Sequence, residues 1–268
     1  MKIRRFILAI VALGIWNYSF SQKTEVQKYY IRKDTLFISK LTEAYNTSTE
    51  KLFKVLKVND EDRENLGFGY QLKQSGIGKG SLSVYYSILY LNNEMIAYRM
   101  GTYIPNKSNR IKKLYRTKLS ELFEIDEDDK VKPLVHGIDH ATNPIENIEK
   151  PNGSELDEVM SPFSGILYGN RCGHGMEVLN IRKMFDAIIS NENCEYLMYS
   201  KNPATRLMAI EYYYDHPNEF DPSQQAAIDL RIEKLKRNPM LTKVCSGCMA
   251  GGQLTQQLIT DLKKEKQQ

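Results

Sequence analysis

Residues 82–103 read LSVYYSILYLNNEMIAYRMGTY, and this stretch decides the fold class. Aromatic and aliphatic residues fill two arms, Leu82–Leu91 and Glu94–Tyr103, and Asn92-Asn93 between them tolerates the positive φ angles of a two-residue turn. The pattern predicts a β-hairpin. Val84, Tyr86, Ile88 and Tyr90 share one face, while Tyr85, Leu89 and Leu91 share the other, so the first arm is expected to be covered on both sides. A cover follows in sequence: Ile111, Leu114, Tyr115, Leu119, Leu122 and Phe123 repeat at helical spacing within 108–124. Lys112, Lys113, Arg116 and Lys118 give that helix a basic outer face, read as solvated. Upstream, Thr47 and Glu50 have capping-box spacing ahead of Leu52, Phe53, Val55 and Leu56, which predicts a short amphipathic helix.

The chain changes character after the hairpin. Residues 132–160 hold Pro133, Pro144, Pro151, Gly137 and Gly153 with little periodic apolar content, and read as a connecting segment. Beyond them come helix patterns. Gly175–Ser190 carries Val178, Ile181, Phe185, Ile188 and Ile189; Asn202-Pro203 and Asp221-Pro222 place a capping residue before an N1 proline; Gln253–Leu262 can form one more helix. The expected fold class is α+β: an N-terminal region over 22–131 with a hairpin-containing sheet, then an all-helical, cysteine-containing region over 161–268.

At the other end of the chain, Lys2, Arg4 and Arg5 precede an apolar run from Phe6 to Trp16, followed by Ser19 and Ser21. This grammar predicts a signal peptide, Met1–Ser21, cleaved before Gln22. The apolar run is too short to span a hydrocarbon core of about 30 Å, so no transmembrane segment is expected in the mature chain, and the destination is the periplasm or the exterior. The full chain holds 37 Lys and Arg against 33 Asp and Glu, and three of those basic residues sit in the leader. The remainder is close to neutral, which gives no reason to expect nucleic acid as a partner. Another protein or an envelope component is the expected one. The chain has 17 tyrosines, which suit half-buried sheet faces and interfaces.

The run Asn202-Pro203-Ala204-Thr205-Arg206-Leu207-Met208-Ala209-Ile210-Glu211 resembles the helix opening of HEAT-type repeats. The likeness covers at most residues 193–237, without a second copy at a fixed period. It implies a helical-hairpin unit presenting a binding surface, with Arg206 paired to neighbouring turns, and it carries no catalytic residue. As a whole the chain resembles a bacterial exported protein.

All four cysteines, Cys172, Cys194, Cys245 and Cys248, lie in the second half. In an exported chain their even number argues first for disulfides, and four cysteines allow three pairings that the sequence does not separate; a bond from Cys172 or Cys194 to the Cys245/Cys248 segment would close a long loop. Two other chemistries share these residues. Cys245 and Cys248 have the two-residue spacing of a redox pair, which would make the chain a thiol–disulfide oxidoreductase. The same two thiols, with Cys172 and either Cys194 or His174, could instead build a structural zinc site. Cys172 and His174, flanked by glycines, could form a thiolate–imidazole pair if Cys172 is free. His136 and His140 are four apart, but Pro133 and Gly137 argue against a shared helix face. The Gly76–Ser81 run fails the spacing of a phosphate loop, and Asp126–Asp129 lacks the glycine and glutamate of a calcium loop. No catalytic residue, metal or cofactor is assigned. The preferred reading is a non-enzymatic interaction module, with the outward tyrosines of the hairpin and the surface around Arg206 as candidate contacts.

Overall fold

The computed structural model describes residues 2–59, 61–151 and 155–265, and for residues 2–24 the backbone alone. The expected leader therefore lies outside the residues whose side chains are described. In chain order the elements are α1 (Lys2–Thr47), α2 (Thr49–Leu56), β1 (Glu64–Gly67), β2 (Tyr70–Gly78), β3 (Ser83–Leu91), β4 (Glu94–Thr102) and α3 (Asn109–Leu119). Then follow β5 (Leu134–His136), α4 (Ile138–Thr142), α5 (Asp157–Met160), β6 (Arg171–Cys172), β7 (Glu177–Val178), α6 (Asn180–Asp186) and α7 (Asn191–Met198). The chain continues with α8 (Pro203–Asp215), α9 (Pro222–Lys236), β8 (Leu241–Ser246), β9 (Met249–Leu254) and α10 (Thr255–Glu265).

A five-stranded antiparallel sheet of order β1-β2-β3-β4-β5 occupies the N-terminal half, and the C-terminal half is mostly helical. The α+β class holds. The C-terminal half is not all helix, however, because β6 pairs with β7 and β8 with β9. The segment Gly175–Val178, expected in a helix, belongs instead to the β6–β7 hairpin, and α6 begins only at Asn180. Gln253 and Leu254 likewise extend β9 before α10 starts. Among the described residues no helix is long and apolar enough to cross a membrane.

The chain forms two compact units that alternate in sequence. The first takes residues 1–60, 75–86 and 100–134; the second takes 61–74, 87–99 and 135–268. In the first, Asp34, Phe37, Ile38, Leu41 and Ala44 make a buried stripe on α1, which packs on α2 and α3. Ser48, rather than Thr47, caps α2: its hydroxyl accepts from Lys51 N at 3.2 Å, while Thr47 ends α1 by bonding Glu43 O. On β3, Val84 and Tyr86 are buried but Tyr85 is half exposed, so the strand is not covered on both sides along its whole length.

In the second unit Asn92 and Asn93 adopt φ of 50° and 71°, the primed turn that their side chains tolerate. The helices close on one apolar cluster that includes Leu156, Phe185, Leu197, Leu207, Ile210, Ile232 and Ile259. Helix α8 lies at its centre, buried without a break from Pro203 to Ile210. Its cap explains how the sequence starts it there. Asn202 accepts from Ala204 N at 3.0 Å and donates to Gly165 O at 2.7 Å, so a buried amide is satisfied on both sides. Helix α9 opens with a reciprocal box in which Asp221 accepts from Gln224 N and Gln224 accepts from Asp221 N.

Candidate functional site

Two short hairpins meet near the C-terminus of the second unit. In the larger, β8 and β9 run antiparallel from Leu241↔Leu254 to Ser246↔Met249, and Gly247-Cys248 makes the turn. Gly247 has φ +60°, a conformation that suits glycine. In the smaller, Arg171 and Cys172 pair with Val178 and Glu177, and the turn closes through Met176 N to Gly173 O at 3.0 Å. The two turns are joined by Gly173 N donating to Gly247 O at 2.8 Å.

Strand β8 is held from its other side as well. Tyr168 N donates to Lys243 O at 2.8 Å and Cys245 N donates to Tyr168 O at 2.9 Å. Gly169 makes this approach possible: a Cβ there would stand 2.4 Å from the Cys245 carbonyl oxygen. Tyr168 is itself anchored, its phenol donating to Glu211 at 3.1 Å, and Glu211 also pairs with Arg182 at 2.7 Å. Burial, followed by the Glu211 charge, raises the Tyr168 phenol well above its usual range.

With the backbones so placed, Cys172 and Cys245 form a disulfide, their Cα atoms 5.6 Å apart and 73 residues apart in sequence. Cys248 is free and exposed, and its Sγ lies 3.5 Å from His174 Nδ1. Cys194 stands elsewhere. It is fully buried on α7, where its thiol donates to Ala209 O at 3.2 Å and burial pushes its pKa up. The sulfur of Cys245 is thus engaged with Cys172 and not with Cys248, and the imidazole of His174 faces Cys248 and not Cys172. Among the described residues no three His, Cys, Asp or Glu groups stand ready as a metal centre. His136 lies on β5 stacked against Tyr98, with ring centroids 5.2 Å apart, and His140 lies on α4.

Beside the larger hairpin is a cleft of about 580 Å³ lined by Glu64, Asn65, Met240, Leu241, Lys243 and the Ala250–Gly252 stretch of β9. Lys243 pairs with Glu64 across it. All six residues of β9 are exposed, and its outer edge has no strand beside it among the described residues. β1, which supplies Glu64 and Asn65, is also an edge strand. The sequence held little sign of this feature, since Gly251-Gly252 breaks any apolar alternation.

The surface expected around Arg206 is not a surface. Arg206 is 3 % exposed, donates to Leu66 O, and stacks its guanidinium 5.3 Å from the Phe68 ring, with Met240 Sδ at 3.7 Å. Arg231 lies at the same distance from that ring and pairs with Glu146 at 2.7 Å. Burial, and then the charge of Arg231, lowers the Arg206 pKa. Arg206 therefore supports the turn between β1 and β2 from beneath. Of the hairpin tyrosines, Tyr86, Tyr90 and Tyr98 are buried, while Tyr85 is exposed and stacks on Tyr103 with centroids 6.1 Å apart.

Comparison with protein-family models, with curated proteins and with solved structures found no match to this chain.

Proposed function

We propose that the chain is an exported, non-enzymatic interaction module whose C-terminal unit takes up an extended segment of a partner protein of the cell envelope. The observation that carries this reading is β9: a fully exposed edge strand beside a cleft of about 580 Å³. An added strand would gain main-chain hydrogen bonds along β9, and the cleft would receive its alternate side chains. Exposed Leu241, Met249 and Leu254 favour apolar side chains at those positions, and Gly251 and Gly252 leave the floor of the cleft open. The basic, apolar and small-residue grammar of Met1–Ser21 supports export. The Cys172–Cys245 bond suits an oxidising compartment.

The test is selection from a displayed library of random nonapeptides on the folded protein, followed by amide exchange with the selected peptide. Expected are slowed exchange over 249–254 and loss of binding in Gly251→Lys, a position where an added Cβ meets nothing within 4 Å. Failure to enrich any peptide, or enriched peptides that ignore Gly251→Lys, would remove the reading.

A further inference from the structure

The two joined hairpins carry four metal-ligating side chains in two close pairs: Cys172 bonded to Cys245, and His174 beside Cys248. We propose that when the Cys172–Cys245 bond is reduced, Cys172, His174, Cys245 and Cys248 bind one zinc ion.

The argument begins with spacing. Cys172 and His174 are separated by one glycine, and Cys245 and Cys248 by Ser246-Gly247, so each turn offers two donors at short range. The backbones are already fixed against each other by the Gly173 N to Gly247 O bond and by the Tyr168 bonds to β8. Distance is the second point. Zinc bonds of about 2.3 Å to sulfur and about 2.0–2.1 Å to nitrogen, at the tetrahedral angle, set a sulfur-to-nitrogen separation of roughly 3.5 Å. Cys248 Sγ and His174 Nδ1 stand 3.5 Å apart, and both side chains are exposed at a corner that zinc can enter. The other two donors are the bonded sulfurs themselves. While that bond is closed two of the four ligands are withdrawn, and among the described residues no group of three stands ready.

The chemistry balances with a dithiol as reductant. Its two sulfurs close their own disulfide, its two electrons and two protons pass to the sulfurs of Cys172 and Cys245, and the site then holds three thiols. Zinc displaces one proton from each thiol to solvent and takes a lone pair from neutral His174 Nδ1, so three thiolates and one imidazole give a complex of net charge −1. Arg171, which donates to Met176 O at 3.1 Å within the same hairpin, lies beside that charge in sequence. One corner thus has two covalent closures: a disulfide under oxidising conditions, and a metal under reducing ones.

Cobalt(II) is the probe. The full-length chain is reduced with a dithiol, freed of it by anaerobic gel filtration, and titrated with cobalt and then zinc. One cobalt per chain is expected, with thiolate charge-transfer absorption and tetrahedral d–d bands that zinc abolishes. The oxidised protein should bind none. Cys248→Ser and His174→Gln, both exposed positions, should weaken binding more than about 100-fold, the upper end of what loss of a supporting hydrogen bond produces. Cys194→Ser should change nothing. If reduction unfolds the chain, zinc should restore the circular dichroism of the wild type and not of Cys248→Ser. Absence of stoichiometric cobalt, binding indifferent to Cys248→Ser, or binding lost in Cys194→Ser would each overturn the assignment.

Discussion

The phenol of Tyr115 on α3 donates to the carboxylate of Asp34 on α1 at 2.5 Å, although 81 residues separate them. Asp34 is fully buried, and its Oδ2 also accepts from Ser81 N at 2.9 Å, so one carboxylate joins two helices and a turn. Burial, helped by the neighbouring carboxylate, raises the Tyr115 phenol above its ordinary range and keeps it a donor. Removing that donor leaves a buried charge short of a partner. Tyr115→Phe is expected to cost about 2 kcal/mol in urea unfolding, the usual worth of a hydrogen bond to a charged group. Tyr103→Phe, at a half-exposed ring, should be neutral. Equal stability of the two variants would show that the Asp34 contact holds nothing together.

Alkylation counts the thiols. The native, oxidised protein should take up one equivalent of a thiol reagent, at exposed Cys248; unfolding should expose Cys194 as the second, and reduction should release Cys172 and Cys245. Replacing both Cys172 and Cys245 by serine should lower stability by about 4 kcal/mol, the chain-entropy value for a closed loop of 73 residues. Four reactive thiols in native material would contradict the bond.

Lys201 makes stability depend on pH. It is buried, its ammonium donates to Asn143 O and lies 5.3 Å from the Tyr70 ring, and burial lowers its pKa from 10.5 to about 8. Below pH 8 both states are protonated. Above it the unfolded chain holds a proton that the folded chain has released, so stability should rise from pH 8 towards pH 10. Tyr212, Tyr213 and Tyr214 act in the opposite sense at higher pH. Their phenols are raised from 10.0 to about 12, mainly by burial, so above pH 10 the unfolded state ionises first and stability should fall. Melts at constant ionic strength test this. In Lys201→Met the rise between pH 8 and 10 should vanish, and its persistence would assign the effect elsewhere.

Gly169 is expected to tolerate no side chain. Its φ is +147°, and an added Cβ would meet the Cys245 carbonyl oxygen on a strand pinned by the disulfide and by Tyr168. Gly169→Ala should cost about 3 kcal/mol, the upper range for local backbone strain, and should slow formation of the Cys172–Cys245 bond during refolding. A melting temperature equal to that of the wild type would show that β8 can move.

What was legible in the sequence was local. The Asn92-Asn93 turn, the Asn202 cap and the Asp221/Gln224 box are each written within four residues, and each is found in place. The stripe of Phe37, Ile38, Leu41 and Ala44 that buries α1 also stands at helical spacing, yet it is narrow and set among Lys, Thr and Tyr, so its signal is weak. Gly175–Val178 looks helical in sequence because Val178 falls in phase with Ile181 and Phe185, but apolar phase does not mark where a helix begins, and α6 starts only at Asn180. β9 carries two glycines and no buried side chain, so it leaves no alternation to detect and exists through backbone pairing with β8. At the cysteines, compartment argues for disulfides and leaves the three pairings of four cysteines open. Cys172 is the one bonded to Cys245, and Cys194 is buried against Ala209 on α8, a contact between helices that spacing alone does not reveal. The sequence around Arg206 suggests an open surface because nothing in its neighbourhood announces that Phe68 would lie over the guanidinium.

The bond between Cys172 and Cys245 encloses helices α6 to α9 inside a covalent ring. Tension applied at the two ends of the chain would travel through the sulfurs and bypass those helices, as a load bypasses a spring that has been shorted by a wire. A pull on the C-terminus would feel the stiffness of that clasp, and the helices within the ring would stay slack until the clasp is cut.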